Sequence, residues 1–244
     1  DAIFAQTYSA DRIEVIFIDN NSTYDSVEWA RETYGEKLVV IKNEANIGYT
    51  GAANQGMELA RGEYIVITNP DIIYTPEYFE RAIARMEKDE KIAALTGKVV
   101  KYDFDAANSG GVASVGAPTN LIDTVGLCIF RSRRVIDDGQ GLPDDGRFDE
   151  AAASGGHQVF GISGACPIYR RTALDDARIN GEILDDNFFM YKEDVDLSWR
   201  LTLLGWKCWY YPEAVAYHGR GTGVKQRFTV GQMVKERDGL SPFQ

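Results

Sequence analysis

Through about the first hundred residues, short runs rich in Ile and Val alternate with amphipathic stretches. "RIEVIFIDNNS", from Arg12, is an apolar run that stops at a polar cluster, the pattern of a buried parallel strand and its exit loop. "DSVEWARETYG" then predicts a short helix ending at Gly35. A second strand, "KLVVIK", leads through the glycine-containing loop "NEANIGYTG" to a helix over 52–61, where Ala53, Met57 and Ala60 share one face. A third strand, "EYIVIT", runs into "NPD". The next helix has Thr75 as its expected N-cap, Pro76 in its first turn, and Phe79, Ile83 and Met86 on one side. Strand and helix in alternation, with short connections, predict a parallel α/β sheet with right-handed crossovers.

After a further strand over 92–100 the rhythm breaks. Residues 102–157 are rich in Gly, Asp and Ser and carry a single evident apolar segment, "VGLCIF", where a substrate-specific insertion is expected. Order returns with the strand-like "QVFGISGACPIYRR", the helical "FFMYKEDVDLSWRLTLLGW" and the aromatic strand "KCWYYPEAVAYH". The tail over 219–244 shows no strong pattern.

Composition narrows the function classes. A chain of 244 residues with 44% hydrophobic content can bury a substantial core as one domain. Its formal charge of -11 argues against a nucleic-acid binder working through a broad basic surface, and shows no basic membrane anchor. Cys128, Cys166 and Cys208 are odd in number and widely spaced, so neither a disulfide framework nor a zinc site is indicated and a cytoplasmic setting is the default. No apolar run reaches the ~18 residues that a membrane span needs.

Ligands of open parallel sheets bind beyond the carboxyl ends of the strands, so the strand exits are the places to look for chemistry. The three exits carry Asp19-Asn20-Asn21-Ser22, Asn46-Ile47-Gly48 and Asn69-Pro70-Asp71. Asp19 and Asn20 suit either a turn or hydrogen bonds to a nucleotide. Gly48 and Gly51 suit either a plain turn or backbone amides approaching a phosphate. Asn-Pro-Asp is good turn chemistry, and Asp71 is equally a carboxylate for a hard divalent cation, with His218, after "AVAY", a candidate second ligand. Within the "EDVD" helix, Asp196 with Arg200 four residues on makes an ordinary ion pair. Glu193 and Asp194 follow an aromatic run, and a carboxylate at a helix start beside an apolar wall suits a general base.

Taken in order, "DNNS", "NIGYTGAANQG", "NPD", "GISGACPIYRR", "FFMYKEDVDLSWRLTLLGW" and "AYHGRG" resemble a family 2 inverting glycosyltransferase of the GT-A fold, nearest its rhamnosyltransferase-like members. The resemblance covers about residues 6–222. It implies a Rossmann-like, mostly parallel central sheet flanked by helices, with a smaller mixed region on the acceptor side. By position it implies that residues 1–100 form a nucleotide-sugar-binding half and 101–218 an acceptor and catalytic half. Asp19, Asn20, Asn46, Gly48 and Asn69 then line the donor nucleotide, while Ser163 and Gly164 lie near the donor sugar and acceptor. Asp194 matches the catalytic base, with Glu193 supporting it, and Asp71 with His218 matches the site of a divalent cation, Mg2+ or Mn2+. Asn69 stands where the family's DxD motif has its first aspartate, leaving Asp71 as the main metal carboxylate.

The partners implied are a nucleotide diphosphate sugar donor, dTDP-rhamnose or a UDP-sugar, and a glycan or lipid-linked acceptor of cell-surface polysaccharide synthesis. Such an acceptor brings peripheral association with the inner membrane face. The family's first strand and helix have no counterpart before "IFAQTY", so some tens of further N-terminal residues, and weak donor binding without them, are expected. Two other readings of the sequence are a sugar nucleotidyltransferase and a catalytically silent nucleotide-sugar-binding domain.

Overall fold

The computed structural model describes residues 1–104 and 116–219. The expected alternation forms at the N-terminal end. Strands β1 (Ile16–Asp19) and β2 (Val39–Lys42) pair in parallel, joined by helix α1 (Ser26–Tyr34), whose buried Val27 and Ala30 face inward. Helix α2 (Gly48–Leu59) follows, then β3 (Tyr64–Val66), β4 (Ile72–Tyr74), α3 (Tyr78–Glu87) and the long β5 (Ile92–Asp103). The second half supplies β6 (Ala117–Thr124), β7 (Leu127–Ile129), β8 (Val135–Asp137), β9 (His157–Val159), β10 (Ile168–Arg170), α4 (Arg171–Asp176), α5 (Glu193–Leu203) and β11 (Lys207–His218).

The seven-stranded sheet runs β3-β10-β5-β11-β4, with β6 added beside β5 and β9 beside β11. This central sheet flanked by helices is the expected GT-A architecture, but strand direction differs from the parallel expectation. β5 and β11 are parallel, whereas β10 runs antiparallel to β3 and β5, and β4 antiparallel to β11. Hydrophobic runs mark burial without marking direction, and the three-residue strands β4 and β10 are too short to display a period. Nor do residues 102–157 hold one apolar segment only. β6 ends in the buried Ile122, Asp123 and Thr124, and together with β7, β8 and β9 it gives the insertion its own strands. Of the tail over 219–244, all but Gly219 lies outside the described residues.

The core forms where α3 lays Tyr78, Phe79, Ala82, Ile83 and Met86 against β5 and β11. Each such large side chain removed from water contributes roughly 1.5–3 kcal/mol before entropy is counted. Thr75 does not cap this helix as expected, because its hydroxyl donates to the Val215 carbonyl of β11 at 2.7 Å. The side chain of Gln6 does that work instead, accepting from the Phe79 amide at 3.1 Å. Two clusters, one over α3 and one under α4 and α5, enclose the sheet from both faces and leave its strand ends to carry the polar groups.

Candidate active site

At the end of β1, Asp19 is buried, accepting from the Ser26 hydroxyl at 2.8 Å and the Ser22 amide at 3.3 Å. The serine hydrogen bonds hold its pKa below the usual carboxylate value. Asn20 is the hub of the next contacts. Its amide donates to Asn46 Oδ1 at 2.9 Å and to the Gly48 carbonyl at 3.0 Å, while its own oxygen accepts from Asn43 and from the Ile47 amide. Four predicted residues, Asp19, Asn20, Asn46 and Gly48, are therefore gathered at one strand end.

Helix α2 starts at Gly48 and not at residue 52, and the reason lies far along the chain. The carbonyl of Phe189 accepts from the amides of Tyr49 at 2.7 Å and Thr50 at 3.2 Å, satisfying donors that a helix start otherwise leaves open. Those two amides are thus already engaged in a protein contact. Gly48 has φ of +80°, and a Cβ there would meet the Phe189 ring at 2.6 Å. Only glycine meets both conditions.

Phe189 belongs to the segment that delivers the carboxylates. Phe189, Tyr191 and Lys192 all hold positive φ, a conformation costly for side chains of this size. From it α5 begins directly with Glu193, as the sequence predicts, placing Glu193 and Asp194 in its first turn. Asp194 Oδ2 accepts from the Gly164 amide at 3.0 Å, and Oδ1 from the Val195 amide at 2.8 Å. Burial raises its pKa, the two amides oppose that rise, and the charge of Asp137 adds to it.

Glu193 is only 7% exposed, and its Oε2 has no hydrogen-bond partner among the described residues. Burial, and then the neighbouring Asp194 charge, push its pKa up to about 7. A Cβ on Gly164 would lie 3.4 Å from Glu193 Oε1, so the "GISGA" loop passes close over both acids, with Ser163 buried beside it. Tyr49, Pro167, Tyr169 and Leu184 complete the wall, and the Tyr49 hydroxyl donates to the Gly164 carbonyl at 3.3 Å. Tyr49 ties the nucleotide-side helix to the loop that holds Asp194, a role the sequence reading missed because an aromatic after glycine carries no signal of its own. Asp196 pairs with Arg200 at 2.8 Å, as the spacing predicts.

The second expected pair also meets. Asn69, Pro70 and Asp71 form a turn, with the Asn69 carbonyl accepting from the Ile72 amide at 3.3 Å. The turn leads into β4, whose register sets Ile72 opposite His218 of β11. His218 Nε2 lies 3.4 Å from Asp71 Oδ1, and its Nδ1 lies 2.8 Å from Asp123 Oδ2. Burial disfavours the His218 charge, but the Asp123 and Asp71 carboxylates outweigh it and raise the pKa to about 9. The sequence reading missed Asp123, although a carboxylate inside the apolar "LIDTV" run was a signal.

Among the described residues no three His, Cys, Asp or Glu side chains converge as a metal cluster. Asp71 and His218 supply two donors, and their spacing suits two ligands each about 2.1 Å from one cation. Asp123 on the opposite ring nitrogen is the kind of partner that orients a ligating histidine. The donor set therefore fits a divalent cation that takes its remaining ligands from elsewhere. His157, on the outer strand β9, is exposed and packs its ring edge on Tyr210, away from this pair.

Comparison with known proteins bears on the family and the fold. The family model described as Glycosyl transferase family 2 matches residues 1–178. The N-acetylglucosaminyl-diphospho-decaprenol L-rhamnosyltransferase of Mycobacterium tuberculosis is 26% identical over 229 residues, covering 84% of this chain and 66% of that protein. The chain thus spans just under two thirds of that relative. Among solved structures, GalNAc-T7 with UDP, GalNAc and Mn2+ superposes with a TM-score of 0.68 at 13% identity, over 89% of this chain and 39% of that one. A mannosyltransferase from Pyrobaculum calidifontis, in complex with GDP-Man and Mn2+, gives 0.59 at 17% identity, over 91% and 52%. These structural likenesses establish the shared fold.

Proposed function

The chain belongs to glycosyl transferase family 2, and from that premise we propose that it transfers a sugar, with inversion, from a nucleotide diphosphate donor to an acceptor hydroxyl. The observation that carries this reading is the Asp194 carboxylate, fixed by the Gly164 and Val195 amides at a helix start and walled by aromatics. A group held in this way is oriented before substrate arrives, and its raised pKa makes it a better proton acceptor than an exposed aspartate.

In the proposed step Asp194 takes the acceptor hydroxyl proton as that oxygen bonds to the anomeric carbon. The bond from that carbon to the diphosphate oxygen breaks on the opposite face. Glu193 supports the site. Asp19, Asn20, Asn46, Gly48 and Asn69 are assigned to the nucleotide side, and Ser163 and Gly164 to the sugar and acceptor. Asp71 and His218 would hold a divalent cation, Mg2+ or Mn2+, and Asp123 would keep the His218 ring in line. Such a cation supplies positive charge for a departing diphosphate.

Similarity to a rhamnosyltransferase named for a diphospho-decaprenol acceptor supports rhamnose as the sugar and a lipid-linked glycan as the acceptor. A lipid-linked acceptor places the proposed enzyme on the cytoplasmic face of a membrane, in cell-surface polysaccharide synthesis; among the described residues no helix is long and apolar enough to cross a membrane. Asp194→Asn tests the base. Transfer should fall about 100- to 10,000-fold with donor affinity unchanged, and near-normal turnover in that variant would sink the assignment.

A further inference from the structure

The chain is acidic overall, with 37 Asp and Glu against 26 Lys and Arg. One stretch departs from this balance. Residues 124–136, "TVGLCIFRSRRVI", contain no acid and three arginines, Arg131, Arg133 and Arg134. They occupy the tip of the hairpin made by β7 and β8, which pair antiparallel from Leu127 with Asp137 to Ile129 with Val135. The Phe130 amide donates to the Arg134 carbonyl at 2.9 Å, and the Arg133 amide to the Phe130 carbonyl at 2.8 Å, so the tip is a closed turn of fixed shape. Arg133 sits in it at φ of 66°, a conformation that Gly or Asn adopts at lower cost, yet the position carries a charge.

All three arginines are exposed, and none makes an ion pair among the described residues. That contrasts with Arg61, Arg147, Arg170, Arg178 and Arg200, each of which lies against a carboxylate. Phe130 at the base of the turn is 47% exposed. The hairpin root bonds through Leu127 to the Gly161 carbonyl at 2.8 Å, and Phe160, next in sequence, packs edge-on against Trp199 of α5. Trp199 is 37% exposed, and Leu203, one turn further along α5, is 75% exposed. Exposed cations beside an exposed aromatic at one tip of an acidic molecule have the composition of a surface that meets charged lipid headgroups.

We propose that the β7–β8 hairpin tip, Phe130 with Arg131, Arg133 and Arg134, is the surface by which this protein docks on an anionic phospholipid bilayer. The acidic remainder of the molecule is repelled by the same surface, so charge sets the orientation as well as the contact. That orientation serves the chemistry, because the root of the hairpin adjoins the catalytic end of the fold. Gly161 lies three residues before Gly164, whose amide holds Asp194, and Asp137, at the end of β8, is near enough for its charge to raise the Asp194 pKa. An acceptor anchored in the bilayer would then present its hydroxyl beside the carboxylates. The purpose of this surface rests on the lipid-linked acceptor proposed above, whereas the binding itself is measured without any transfer.

The experiment is vesicle flotation of the full chain with phosphatidylcholine alone and with about one quarter phosphatidylglycerol. Wild-type protein should float with the anionic vesicles and not the neutral ones, and binding should fall on raising salt from about 50 to about 300 mM. Replacing the cations by Arg131→Ser, Arg133→Ser and Arg134→Ser together should lower partition about a hundred-fold. Thermal unfolding of that variant should stay unchanged, since the three side chains are exposed and make no ion pair among the described residues. Removing Arg31, Lys37 and Lys88, exposed cations in the first hundred residues and outside the hairpin, by the same substitution should leave most of the binding. Equal binding to neutral vesicles, retained binding in the hairpin variant, or equal loss in the control would overturn the proposal. So would release by about 1 mM inorganic diphosphate at constant ionic strength, which would assign the arginines to a soluble phosphate. Vesicle binding without sugar transfer would leave this surface standing and remove the function proposed above, and transfer without vesicle binding would do the reverse.

Discussion

Replacing Glu193 by glutamine removes its charge while nearly keeping its shape, which exposes what the buried position costs. A carboxyl raised from its ordinary 4.5 to about 7 prefers the protonated form in the folded protein. Below pH 4.5 both folded and unfolded chains hold the proton, and no penalty exists. Between about 4.5 and 7 the unfolded chain ionises first, so wild-type stability falls as pH rises and levels off above about 7. The full difference corresponds to about 3 kcal/mol at 1.36 kcal/mol per pKa unit.

Glu193 is 7% exposed, so solvent screens little of this. The glutamine amide meets an unpartnered position at Oε2 and carries a constant cost of about 1–3 kcal/mol at every pH. Only the change with pH is therefore diagnostic. Urea unfolding at pH 5 and pH 8.5 should show wild type losing about 2–3 kcal/mol more than Glu193→Gln between the two conditions. Parallel pH dependence in the two proteins would show that the Glu193 pKa is not raised by its burial, and the reasoning would fail.

Two further substitutions test the geometry around the site. Gly48→Ala forces a Cβ to 2.6 Å from the Phe189 ring at a φ of +80°, and should cost at least about 2 kcal/mol in urea unfolding. Asp123→Ala frees the His218 ring and should weaken Mn2+ binding about 10- to 100-fold by calorimetry, without removing either proposed ligand.

How far the sequence revealed this site depends on which interactions are local. The Asp196–Arg200 pair and the helix start at Glu193 follow from spacing on one helix, and both appear as expected. Asp71 and His218 meet because their strands neighbour each other, a pairing made visible by motif order and not by periodicity. The start of α2 was displaced because its capping carbonyl, Phe189, lies about 140 residues away, where no local rule can find it. Asp123 stood out only as a carboxylate in the apolar "LIDTV" run, and its partner could not be read locally. Its strand begins in a polar, glycine-rich insertion, and burial becomes evident only once β5 is alongside.

The account's central claim is acceptor-dependent sugar transfer, and the most direct measurement is nucleoside diphosphate release by the full chain. The donors are dTDP-rhamnose, UDP-sugars and GDP-sugars, with Mn2+, and each is tried with and without a lipid-diphosphate-linked N-acetylglucosamine acceptor. The account predicts release from a dTDP- or UDP-sugar that requires the acceptor and stops when the cation is chelated. Silence with every donor, or release at the same rate without acceptor, would contradict it.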